Sequence, residues 1–271
     1  MPVCCLILLS YIRGFFVLSA QSGAVQSSGG GGFLRRGVAF GGETWYNDKK
    51  EGGRNMAKRE ELLPVSDPVA DAVAVTGYPC EELSRREPWR KNAEFHTTGE
   101  FGKLGRGYHQ HCGPTAMTNL VCAIRRKRGL APLEPDEIFQ RAAAIGKRRL
   151  TYWNIDEKLH MGGTSYLLLR PYVAACLRSC GIDGAKLTWR VQAKPERMEE
   201  ELERGRLLVL AMTHHRCYGS HLVLALGAVR VAVDGRSKPR LYFLLADGWA
   251  ARPRYVAADT LRLCGYVAVE A

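Results

Sequence analysis

From Cys112 to Arg128 apolar side chains recur every three to four residues. Ala116, Leu120 and Ala123 fall on one line and Met117, Leu120 and Ile124 on its neighbour, the spacing of a helix with a buried face. Basic residues Arg125–Arg128 close the run, where cations suit the negative end of a helix dipole, and Gly129 stops it. Glu134–Ile145 predicts a second helix, with Pro135 at its start and Gly146 beyond its end. Thr164–Cys180, rich in Leu and Ala and closed by Gly181, predicts a third that Pro171 kinks or breaks. A strand over Lys186–Val191 and a short acidic helix over Glu196–Glu203 come next.

After Gly205 the period changes. Leu207–Met212, His221–Val233 and Leu241–Ala246 are apolar runs with glycine or charged breaks between them, the pattern of buried strands. Ala257–Leu263 predicts one helical turn and Cys264–Val269 a closing strand. Earlier, residues 56–100 are mixed and punctuated by Pro64, Pro68, Pro79 and Pro88; Ala72–Tyr78 alternates weakly and predicts a strand, and Glu100–Tyr108 reads as a glycine-rich loop. Helices precede strands, so the pattern predicts an α+β domain and not alternating βαβ units. Its N-terminal helical half should pack face to face with a C-terminal antiparallel sheet half, leaving a cleft between them. No internal repeat is present.

The first 55 residues read differently. Residues 3–20 form an apolar run interrupted by Arg13, shorter than the roughly 20 residues of a membrane span and lacking a basic segment before it. A flexible QSSGGGG stretch follows. One reading is an export leader plus linker. The other is that Lys50-Glu51-Gly52-Gly53 is encoded by a purine run that binds ribosomes, so that translation begins at Met56 and residues 1–55 are leader RNA. The protein is exported on the first reading and cytoplasmic on the second. The division expected is 1–55 leader or linker, 56–104 N-terminal extension and 105–271 the main domain.

Composition narrows the class. A chain of 271 residues, 46% hydrophobic and 24% charged, has the makeup of a soluble globular protein, which excludes a disordered chain or a collagen-like repeat. The nine cysteines are odd in number and scattered, so they spell no disulfide framework. A net charge of +12 favours acidic partners or surfaces and says nothing about fold.

The sharpest local feature is Tyr108-His109-Gln110-His111-Cys112-Gly113-Pro114-Thr115-Ala116. It puts a cysteine at the start of a helix, where unpaired N–H groups and the positive end of the dipole favour thiolate over thiol. With a base beside it, such a cysteine is a nucleophile, and N–H groups of the same turn can hold an oxyanion. The competing reading is a buried core cysteine. Gly219-Ser220-His221-Leu222-Val223 sets a histidine at the mouth of an apolar strand, and Leu245-Ala246-Asp247-Gly248-Trp249 ends the next strand in a carboxylate. Asp247 could accept the second N–H of the His221 ring, or simply serve its turn before Gly248.

Cysteine, histidine and aspartate in that order, with the first on a helix and the others on adjacent strands, resemble the papain-like cysteine protease clan. More narrowly the chain resembles its bacterial branch related to bacteriocin-leader peptidases, in which Cys-Gly-Pro opens the central helix. The strand "SHLVLALG", the strand end "ADGW" and the intervening EELERGRLLVL carry the likeness, which covers roughly residues 105–271. By that resemblance Cys112 is the nucleophile, His221 the general base and then acid, and Asp247 the orienter; no cofactor is needed. The family places an oxyanion-hole glutamine five or six residues before the cysteine. Here Arg106 occupies that region, and Gln110 is the nearby glutamine that offers a substitute donor, with His109 the other candidate. The expected chemistry is acyl transfer to water, most simply peptide hydrolysis. An amine acyltransferase, or a catalytically silent peptide-binding domain of the same fold, are the competing classes.

Other constellations point elsewhere. His109, His111, Cys112, His214, His215, Cys217 and His221 have the ligand types of a zinc site, but their spacing matches no standard one, so no metal is expected. Cys176 and Cys180 read as core. Basic runs Arg125–Arg128 and Lys147–Arg149 read as solvated helix ends, since no aromatic interleaving accompanies them, and no nucleic acid is expected.

Overall fold

The computed structural model describes residues 64–90, 95–104, 110–156, 161–192, 194–215, 217–261 and 263–271. All belong to a single compact unit within Lys50–Ala271. The expectations about the first 55 residues and Met56, and about Arg106, Tyr108 and His109, lie outside them.

The helical layer is built on α3 (Cys112–Lys127), which follows α1 (Pro68–Thr76) and the short α2 (Thr98–Phe101). It is buried from Gly113 to Leu120 without a break, so it is the central helix and has no wet face until Arg125. Three cations in its last turn meet the exposed carbonyls there. Next come α4 (Pro135–Arg148) and α5 (Leu169–Ser179). Between them β2 (Tyr152–Asp156) and β3 (Met161–Thr164) pair as a two-stranded ribbon. The remaining elements are β1 (Cys80–Arg86), β4 (Lys186–Val191), α6 (Pro195–Glu203), β5 (Leu207–His215), β6 (Gly219–Val233), β7 (Arg240–Ala246), β8 (Arg254–Ala257) and β9 (Leu263–Glu270).

Strands β4-β9-β5-β6-β7-β8 form one antiparallel sheet. Strand β6 is twice the usual length. Its first half pairs with β5 and its second half with β1, which continues the same edge. The period of two sorts β5 cleanly: Leu207, Val209 and Ala211 join the core under the helices, while Leu208, Leu210 and Met212 face the opposite side, with Met198 and Leu202 of α6. The coarse class is therefore α+β, with the sheet covered on both faces.

Several boundaries differ from the sequence expectation, each for a local reason. Ala72–Tyr78 lies in α1 and its end, not in a strand. Asp67 caps that helix by accepting from the Val69 and Ala70 N–H groups, Pro68 opens it, and Gly77 closes it at φ 72°. The loop expected from Glu100 begins instead inside α2, which Thr97 and Glu100 start as a reciprocal capping box. Helix α4 runs through Gly146, because a Cβ there would meet the Tyr152 Cβ at 2.6 Å and glycine lets the two segments touch. The stretch Thr164–Cys180 is split. Thr164 ends β3, and Pro171 sits in the first turn of α5, where a missing N–H costs nothing. Strand β1, mostly polar, and the short β8 gave no period to read.

Candidate active site

The site begins with the first turn of α3. The carbonyl of His111 takes the first helical bond, from the Thr115 N–H at 3.1 Å. The N–H groups of Cys112 and Gly113 precede that bond and Pro114 has none, so two donors point out of the helix beside the sulfur. Gly113 is required sterically: a Cβ there would stand 2.1 Å from Thr164 Oγ1, so the β2–β3 ribbon presses directly on the helix end. That Thr164 hydroxyl is buried with no hydrogen-bond partner.

Opposite the turn, β6 delivers His221 in register with Met212 of β5. The ring is buried, and its Nε2–H donates to the main-chain carbonyl of Asp247 at 2.7 Å. Nδ1 is thereby left to serve the thiol. The side chains of Cys112 and His221 interact as hydrogen-bond partners and as a charge pair. Burial alone pushes the Cys112 thiol up. The bond and charge of His221, with the N–H groups of Leu222 and Gly113, more than reverse this and hold it below its ordinary value. Burial likewise pushes His221 down, but Cys112 and the Asp247 carbonyl bring it above its ordinary value. The two directions agree, each group favouring the charged form of the other.

Asp247 reaches the site, but not as the residue types suggest. Its carboxylate does not accept from the His221 ring; its main-chain carbonyl does. The carboxylate is committed elsewhere. Oδ1 takes the N–H groups of Trp249 at 2.9 Å and Ala250 at 3.2 Å, the self-bonded turn expected of Asp-Gly. Oδ2 takes the Tyr218 hydroxyl at 2.8 Å and Nε of Arg254 at 3.1 Å, with Nη2 beside it. Gly248, at φ 73°, turns the chain so that its carbonyl receives the Thr98 N–H at 2.7 Å, and a Cβ there would stand 3.3 Å from the Thr115 methyl. Thus the loop after β7 is docked on α2 and on the first turn of α3, which is how a carbonyl arrives beside His221.

Aromatic rings wall the imidazole. Tyr218 stacks on it at 5.6 Å and 6°, and the half-exposed Trp249 lies 5.1 Å away. Behind Tyr218 is His215, fully buried, whose Nδ1 accepts the N–H groups of Cys217 and Tyr218, both at 3.1 Å. Burial holds His215 below its ordinary value, so it stays neutral and carries its proton on Nε2. Tyr218, Arg254 and His215 were not read from the sequence as parts of a triad site. Tyr218 had the one available signal, three residues before His221 at the strand turn; Arg254 had none, because it returns from a later strand.

Gln110 lies exposed two residues before Cys112, at φ 53°, where it turns the chain into the helix. His111 contacts Thr115 and the edge of Phe139. Among the described residues no three His, Cys, Asp or Glu side chains are grouped to hold a metal ion. Cys176 and Cys180 are buried in the core. The run Arg125–Arg128 is partly absorbed into the fold: Arg125 binds the Cys180 and Ala131 carbonyls, Lys127 lies 4.0 Å over the Trp89 ring, and Arg128 binds the Asp183 carbonyl. No helix among the described residues is long and apolar enough to cross a membrane. No known family model matches the chain, and no curated protein matches it.

Proposed function

We propose that this chain is a papain-like cysteine peptidase, carrying out thiol-dependent acyl transfer to water at Cys112. The observation that carries the reading is the Cys112–His221 pair: a thiol pulled down at a helix N-terminus, beside an imidazole whose far nitrogen is already engaged.

In the reaction, the Cys112 thiolate attacks the peptide carbonyl carbon and the oxygen takes up negative charge. The Cys112 N–H at the helix end is the first donor to that oxygen, and the Gln110 side-chain amide the second. Collapse breaks the C–N bond, and the His221 imidazolium gives its Nδ1 proton to the leaving amine. The resulting thioester is then attacked by water, from which neutral His221 removes a proton. Breaking the C–S bond releases the carboxylic acid product and returns Cys112 to the paired state. Throughout, the Asp247 carbonyl keeps the ring oriented without taking its proton.

The test is digestion of a proteome-derived peptide mixture, with and without Cys112→Ala, read by mass spectrometry with added amines present. New carboxyl termini that vanish in Cys112→Ala support hydrolysis. Amine adducts would move the reading to an acyltransferase. No cleavage, with peptides retained equally by both proteins, would replace the enzyme with a binding domain.

A further inference from the structure

The Asp247 carboxylate belongs to the same residue as the carbonyl that accepts the His221 proton, yet it is turned away from the ring. Four donors hold it: two N–H groups of its own turn, the Tyr218 hydroxyl and the Arg254 guanidinium. The carboxylate is buried, so it depends on those donors, and Arg254 supplies its counter-charge from β8. Resting on the function proposed above, we propose that Arg254 and Tyr218 are positioning residues: they clamp the Asp247 side chain so that its main-chain carbonyl, and not its carboxylate, orients His221.

The physical difference is large. A carboxylate acceptor brings a full negative charge to the ring and can fix the imidazolium by charge alone. A peptide carbonyl brings only a dipole, so it works if its place is fixed, and the fixing is done one step further out. Arg254 also offsets the Asp247 charge, which acts on His221 through space. The groups facing or backing the ring are Cys112 from α3, Asp247 from the end of β7, Tyr218, Cys217 and His215 from the β5–β6 turn, and Arg254 from β8. Of these, His215 is neutral and its Nδ1 is occupied, so the Asp247–Arg254 balance is the adjustable charge near His221.

The experiment is the pH profile of Cys112 alkylation by iodoacetamide, in the full chain and in variants, read by peptide mass spectrometry. Its acid limb reports formation of the ion pair and its alkaline limb loss of the His221 proton. Arg254→Gln strips the counter-charge, so the alkaline limb should move up, while the loosened loop slows alkylation at pH 7 by about 10- to 100-fold, the scale seen for outer hydrogen-bond partners of metal-bound histidines. Asp247→Asn should move the same limb down. The double variant Asp247→Asn, Arg254→Gln removes both charges and should bring the limb back toward its starting position.

Were the carboxylate the true orienter, Asp247→Asn and the double variant would both lose reactivity by about four orders of magnitude, with no restoration. That result overturns the clamp. So does an Arg254→Gln profile with unmoved limbs, which marks Arg254 as merely structural. Should Arg254→Gln fail to fold, Tyr218→Phe keeps the stacked ring, deletes one donor and should shift the alkaline limb upward by a smaller amount. If the unaltered protein shows no reactivity below the ordinary thiol range, the ion pair itself is absent, and the functional reading falls together with the clamp.

Discussion

Cys112 and Cys122 lie on one helix, and both are half-buried and packed against the same core. Their thiols move in opposite directions. Burial pushes Cys122 up to about 11 even though Arg126 and Arg125 pull it down. Burial also opposes ionisation of Cys112, yet there the thiol ends below its ordinary value. Neither the helix nor burial separates the two. Cys122 has two guanidinium charges nearby and stays a thiol. Cys112 has an imidazole in direct contact and N–H groups aimed at the sulfur. Directed hydrogen bonds from groups already held in place outweigh looser charge, because their ordering cost has been met in folding the strand and the helix end.

The strongest way to break this contrast is His221→Ala. Cys112 then keeps its helix end but loses its partner, and burial takes over as it does at Cys122. Turnover of any cleaved peptide should fall by about six orders of magnitude, the scale found when the base of such a unit is removed. In the same variant the alkylation profile of Cys112 should move up toward that of Cys122. A variant whose Cys112 remained reactive near neutrality would show that the helix end suffices alone.

Gln110→Ala tests the other half of the helix-end argument, the oxyanion donors. If the Gln110 amide is the second donor, kcat should drop by about 10²- to 10³-fold with little change in the Cys112 alkylation profile. An unchanged kcat would assign the second donor to another group.

What could be read from the sequence, and what could not, follows the same division between local and distant causes. The Cys112–Pro114 turn, the His221 strand and the Asp247 turn announce themselves through neighbouring residues, and the structure brings all three together. The buried strands and α3 were legible because a period of two or of 3.6 survives in a long apolar run. The stretch Ala72–Tyr78 reads as a strand because Ala and Val alternate there, while the decisive signals are Asp67 and Gly77, which cap the helix Pro68–Thr76. Strand β1 was invisible: its polar sequence pairs only because β6 is long enough to offer a second edge. The use of the Asp247 carbonyl was equally hidden, since it is decided by where Tyr218 and Arg254 place a side chain.

The contrast is sharpened directly by competing the two thiols for one reagent. At pH 7 a thiol with a pKa of about 11 is ionised in only about one molecule in 10⁴. The Cys112 thiol is instead held below its ordinary value by His221 and the N–H groups at the sulfur, so it is the more readily ionised of the two. Limiting iodoacetamide under native conditions should therefore label Cys112 in strong preference to Cys122, and the bias should vanish in denaturant. Comparable labelling of both in the native protein would remove the basis for treating Cys112 as activated.

The smallest effect concerns Cys122 alone, and it appears in stability. Its thiol is harder to ionise in the folded chain than in the unfolded one, so the unfolded chain gives up that proton from near 9.0 and the folded chain only near 11. Between those values the folded state holds more protons, and stability falls as pH rises. The contribution is fully present below pH 9 and lost through pH 11. Burial raises Tyr242, Tyr218 and Tyr255 as well, so they add alkaline losses of the same sign, and the total slope cannot be assigned to one group. The difference between Cys122→Ala and the unaltered protein can. Denaturant unfolding at pH 8, 9, 10 and 11 should show the variant losing stability less steeply, by up to about 1.4 kcal/mol per pH unit for one proton. Parallel curves would mean that Cys122 ionises as freely folded as unfolded, and the opposition between the two thiols would then rest on Cys112 alone.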